Sequence, residues 1–127
     1  MENGILKVLI VAAGGAAGSA ARYLVNVSPL AGIGRFPSAT FTVNVAGSFL
    51  IGFLMVLLGE RFGIGENAKL MIFVGFLGAF TTFSTFELEL WELVLEGRYA
   101  LAGVYLVASV VSGFIGLIIG VGLGKRF

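Results

Sequence analysis

The sequence predicts an all-α membrane protein with four transmembrane helices, the third of them broken, and three observations carry that prediction. Only 12% of the 127 residues are charged, against 58% hydrophobic, too little charge to cover a soluble domain of this size. Four long apolar runs follow one another, at about 5–25, 39–58, 68–95 and 99–123. Each holds roughly 20 residues or more, enough to cross a ~30 Å hydrocarbon core at ~1.5 Å per residue. The third run interrupts itself with "GFLGAFTTFSTF" at 75–86, where glycines, phenylalanines and hydroxyls stand together.

Backbone groups in lipid must be satisfied within their own segment, so the four runs are helices. Turn chemistry joins them: "NVSPLAGIGRFPS", then "GERFGIGEN", then the tight "EGR". Ser38 and Asn67 are expected to cap the second and third helices. With no linker and no soluble module, residues 1–127 read as one integral membrane domain that crosses the bilayer several times. The first run has the small residues of a cleaved leader in "AAGGAAGSAA". Its apolar stretch continues through Tyr23, Leu24 and Val25, which favours a retained span.

Composition also excludes whole classes of function. The absence of Cys and His removes disulfides, thiolate or imidazole metal sites and nucleophile–His catalysis. A net charge of +1 without a basic cluster gives no reason to expect nucleic acid. No nucleophile has a base in a readable constellation, so an enzyme is not expected.

Topology is weakly marked. Lys7, Arg61, Lys69, Lys125 and Arg126 stand on one side of the membrane, and Arg22, Arg35 and Arg98 on the other. Five against three is a small bias under the positive-inside rule, and it permits insertion in both directions and an antiparallel dimer. Gly14 and Gly18 in the first run, and Gly116, Gly120 and Gly124 in the fourth, repeat the four-residue spacing of closely packed membrane helices.

Polar residues inside the spans carry the chemistry. Thr40, Asn44 and Ser48 share one helical face. Hydroxyls can bond back to their own helix, but an amide at this depth either bonds a neighbouring helix or lines a polar cavity. In the fourth run Tyr105, Ser109 and Ser112 form a second stripe, although Tyr105 also suits an interfacial aromatic belt. In the third, Phe83 and Phe86 share a face. A phenyl ring is positive at its edge, so two edges can touch a small anion without trapping it, as conduction requires. Singly, the phenylalanines read as packing and the hydroxyls as back-bonded. Together with Asn44 and the Tyr–Ser stripe, they point to a polar track shared by three helices.

At a helix break, freed carbonyls favour a cation and the amides beyond favour an anion. Glu87, Glu89, Glu92 and Glu96 follow the break. Arg22 is a candidate partner for the first of them, while Glu92 and Glu96 suit the aqueous edge.

"GxxGxxxRY" (Gly15, Gly18, Arg22, Tyr23), "TxTVNxxGSFxxG" in the second run and "GFxGxxTTFSTF" in the third resemble the Fluc fluoride channels, also called the CrcB family. The likeness spans nearly the whole chain, including the Tyr–x3–Ser of the fourth run. It implies passive, selective export of cytoplasmic fluoride, which protects against fluoride toxicity, through an antiparallel, dual-topology homodimer with two pores. It implies a structural sodium ion on the backbone carbonyls of Gly78 and Thr81, shared across the dimer. The family's pore residues fall on Phe83, Phe86 and Asn44. Its polar track falls on Thr40, Ser84, Thr85, Tyr105, Ser109 and Ser112, and its charged positions on Arg22 and Glu89. This chain departs from the family's pattern at Ala79, where many members have glycine, and at Glu87, where many have a small hydroxyl residue.

Two further readings belong to other classes. A small proton-coupled efflux transporter of the multidrug-resistance type needs a carboxylate in its first span, and residues 5–25 have none. A structural membrane subunit would have little reason to place donors near mid-span on three helices.

Overall fold

The computed structural model describes residues 2–32, 34 and 36–127, so Arg35 of the charge tally lies outside the described residues. Among the described residues four helical spans are long and apolar enough to cross a membrane. The first is α1 (Glu2–Asn26), and the second, α2 (Ser38–Arg61), ends in a π-helical segment at Met55–Arg61. In the third span, α3 (residues 66–80, π-helical over Leu70–Leu77) stops at an extended Thr81 with φ −86° and ψ 158°, and helix starts again as α4 (Ser84–Leu95). The last is α5 (Tyr99–Gly124).

The two expected caps are not formed. α2 starts at Ser38 itself, whose hydroxyl donates back to the Leu30 carbonyl of the preceding loop, and Pro37 precedes it without a side-chain cap. α3 starts at Glu66, one residue before Asn67, with Gly65 in front. At the "EGR" turn the backbone does the capping. Gly97 takes φ +74°, its N–H donates to the Val94 carbonyl at 3.0 Å, and the Arg98 N–H donates to the Leu93 carbonyl at 2.8 Å. This is the Schellman arrangement, which needs a residue at ease in the left-handed region.

Glycine governs how the spans pack. A Cβ on Gly14 would run into the Met71 carbonyl, and one on Gly18 into the Phe76 carbonyl, so α1 lies directly on α3. Gly52 faces the Leu117 carbonyl and Gly120 faces the Phe49 carbonyl, joining α2 to α5 in the same way. Without a hydrophobic drive between helices in lipid, such close van der Waals approach is what holds them. α4 docks on α5 through Phe86, Leu93, Ala102 and Tyr105, the buried apolar cluster. The N-terminus, second loop and C-terminus meet at one end: Lys7 pairs with Glu66 at 2.9 Å, and Arg61 donates to the Lys125 carbonyl. Outward faces of α1 and α5, including Val8, Leu9, Val107, Phe114 and Ile118, are exposed and apolar, as a hydrocarbon solvent requires.

Candidate functional site

The break is built by diverting backbone donors. In a continuous helix the Thr82 N–H would bond the Gly78 carbonyl; here it donates to Asn44 Oδ1 at 2.8 Å. The Asn44 amide returns the contact, Nδ2 donating to the Thr82 carbonyl at 3.0 Å. One step on, the Thr85 N–H donates to the Thr82 hydroxyl at 3.3 Å instead of reaching the Thr81 carbonyl. Gly78 and Thr81 therefore keep free carbonyls among the described residues. The same accounting leaves the N–H groups of Phe83, Ser84 and Phe86 without a protein acceptor among the described residues, at the positive end of α4. Opposite partial charges thus face out of one break within a few residues.

Gly47 makes the approach possible, since a Cβ there would occupy the space of the Thr81 methyl. Of the two sequence alternatives for Asn44, both apply. Its amide bonds the neighbouring span, and its side chain lines a cleft of about 390 Å³ together with Ser48, Thr82, Phe83, Phe86 and Ser109. Among the described residues no charged side chain lines that cleft. The Ser109 hydroxyl is buried there with no hydrogen-bond partner among the described residues, an expensive condition for a polar group away from water. Phe83 is 74% exposed in the single chain, whereas Phe86 is buried, its ring centroid 4.9 Å from that of Tyr105 and tilted 73° to it.

Beyond Phe86 the environment changes. Tyr105 is 0% exposed, which excludes the aromatic-belt reading, and its hydroxyl donates to Glu89 Oε1 at 3.1 Å. A second cleft of about 700 Å³ opens there, lined by Glu89, Glu92, Glu96 and Arg98, and Arg98 pairs with Glu96 at 3.0 Å. Thr40 is buried near Tyr105 and Glu89. The predicted stripes therefore divide: Asn44, Ser48 and Ser109 sit on one side of the Phe86–Tyr105 pair, and Thr40 and Glu89 on the other.

Some predicted residues lie elsewhere. Ser112 is not a wall of either cleft, and Ser84 and Thr85 serve the start of α4, Ser84 being exposed. Arg22 does not pair with the carboxylates of the third span; its Nε–H donates to the Ala79 carbonyl at 3.0 Å. Sequence reasoning passed over Thr82, whose backbone and hydroxyl organise the break. The signal was present in the T-x-x-T spacing of Thr82 and Thr85, which places a hydroxyl three residues ahead of an amide at a helix start.

Comparison with known proteins meets this geometry. Over 119 residues the chain is 44% identical to a protein of Chlorobium luteolum named fluoride-specific ion channel FluC, covering 94% of this chain and 92% of that one. A protein of the same name from Magnetococcus marinus is 41% identical over 120 residues, covering 91% and 98%. Another, from Methylococcus capsulatus, is 42% identical over 122 residues, and there the chain spans 54% of its relative's length. The family model described as CrcB-like protein, Camphor Resistance (CrcB), matches residues 9–121. That match runs through all four spans and across the break between α3 and α4, and the chain belongs to the CrcB family.

Proposed function

We propose that this chain is a fluoride-selective channel of the plasma membrane, passing cytoplasmic fluoride outward down its gradient and so relieving fluoride toxicity. The observation that carries the reading is the cleft, uncharged among the described residues, in which the buried Ser109 hydroxyl finds no acceptor among them beside Asn44, Phe83 and Phe86. A small anion sheds tightly held water only where donors replace it, and it leaves again only if no buried Lys or Arg holds it. Hydroxyl and amide donors with phenyl edges meet both conditions. The names of the relatives support the same substrate.

In this reading Asn44, Phe83, Phe86 and Ser109 form the narrow part of the pore. Thr40, Tyr105, Ser84, Thr85 and Ser112 supply further polar positions; Glu89 stands at a pore entry, and Arg22 is a structural charge beside the break, outside the pore lining. The whole chain acts as one integral membrane domain and pairs with a second, oppositely inserted copy into a homodimer with two pores. The exposed Phe83 ring supports that arrangement, since a second copy would cover it. The residues at the break also fit a sodium ion, because Gly78 and Thr81 offer carbonyl oxygens freed of their usual donors, the neutral oxygen ligands that hard cations take. Bound there, sodium would supply a fixed positive potential beside an uncharged cleft.

Fluoride efflux from liposomes loaded with fluoride and chloride tests the proposal. Fast fluoride release with chloride retained is expected, and Phe86→Ile, which removes the ring from Tyr105 and the cleft, should lower fluoride release at least about tenfold, a change of about 1.4 kcal/mol in the barrier. No release of either ion from the folded parent protein would refute the channel.

A further inference from the structure

The carbonyls at the end of α3 are not treated alike. Leu77 accepts from both the N–H and the hydroxyl of Thr81, at 3.1 and 3.0 Å. Gly78 and Thr81 are left open by the diversions at Asn44 and Thr82. Between them, the Ala79 carbonyl would meet the Phe83 N–H in a continuous helix, and here it accepts from Arg22 instead.

Arg22 arrives there by construction. It lies one turn beyond Gly18, whose contact with the Phe76 backbone seats α1 on α3. An arginine inside a membrane span needs compensation. Among the described residues the ion pairs are Lys7 with Glu66 and Arg98 with Glu96, so no carboxylate supplies it. The negative end of α3 does.

We infer that Arg22 is a positioning residue of the break. It ties off the Ala79 carbonyl from the α1 side while Asn44 ties off Thr82 from the α2 side, leaving the carbonyls of Gly78, Phe80 and Thr81 open among the described residues. The functional consequence rests on the channel reading; the structural claim does not.

Side-chain lengths make the test selective. Glutamine places its amide nitrogen the same number of bonds from the backbone as arginine Nε, so Arg22→Gln keeps the donor and removes the charge. Arg22→Met fills similar space with no donor, and Arg22→Lys keeps the charge but moves the nitrogen one bond further out. In liposomes, Arg22→Gln should retain fluoride release within about threefold of the parent, while Arg22→Met should lose about tenfold or more. Hydrogen exchange of the backbone amides at 80–86 should quicken in Arg22→Met and stay near the parent in Arg22→Gln. In the ¹⁵N spectrum of the parent, one arginine Nε–H should resist exchange and vanish in Arg22→Lys.

Parent-like release and exchange in Arg22→Met would overturn the inference. So would an Arg22→Gln as inactive as Arg22→Met beside a normal Arg22→Lys, since that pattern belongs to attraction by charge. Should Arg22→Met fail to fold, the parent spectrum decides: absence of a protected arginine Nε–H refutes the contact. A parent that passes no fluoride defeats the proposed function, while the exchange and ¹⁵N measurements still judge Arg22.

Discussion

Where α2 meets α5, side chains have been taken away, and Gly52, Gly120 and Gly124 let each helix lie against the other's backbone. Where α3 gives way to α4, the backbone has been opened instead, and Asn44, Thr82 and Arg22 are brought in to satisfy it. At Gly52, Gly120 and Gly124 the first seam has no room for an added methyl. The second is polar and leaves selected groups unpaired. The contrast separates what holds the chain together from what gives it chemistry: stability in lipid comes from surfaces that fit, and a site comes from hydrogen bonds deliberately left unmade.

Substitutions can break that contrast or sharpen it. The largest effect is expected from Gly120→Ala, whose new methyl would overlap the Phe49 carbonyl. Most of the folded protein should be lost on gel filtration in detergent, with no pore left to assay. Asn44→Asp attacks the other seam. It keeps an acceptor for the Thr82 N–H but sets a carboxylate oxygen against the Thr82 carbonyl, losing a hydrogen bond and gaining a repulsion. Fluoride release should fall roughly 30-fold, about 2 kcal/mol in the barrier, while the elution profile stays normal.

Ser109→Ala should separate stability from flux most clearly. Removing a buried hydroxyl with no partner should raise resistance to thermal unfolding in micelles by about 1 kcal/mol. Fluoride release should fall several-fold because a donor is gone. A fall in both would mean that the hydroxyl is satisfied in the working protein. Gly122→Ala sets the baseline, since nothing lies within 4 Å of its added methyl, and both assays should match the parent.

Much of this architecture was legible in the sequence, because a membrane span announces itself by length and apolarity. The break was legible for a related reason: glycines, phenylalanines and hydroxyls crowd together at 75–86, although singly a glycine serves packing and a hydroxyl bonds back to its own helix. Partners were harder to read. Arg22 suggested a carboxylate because charges invite opposite charges, yet it bonds a carbonyl, a group every residue carries and no sequence distinguishes. Ser38 and Asn67 looked like caps, but a cap depends on where the incoming chain turns, and Pro37 and Gly65 set that turn. The division of the polar stripes by Phe86 and Tyr105 depends on how α4 docks on α5, which helical spacing within one span does not encode.

The break has a consequence for how the protein is made. A segment that exposes free amides and carbonyls enters a bilayer reluctantly, and the third span cannot satisfy its own backbone. Its two stays, Arg22 and Asn44, both lie upstream in the chain. During synthesis they emerge from the ribosome first and wait in the membrane when residues 78–85 arrive. Reordering the helices, as in a circular permutant that begins at the third span, would ask the break to insert before its supports exist.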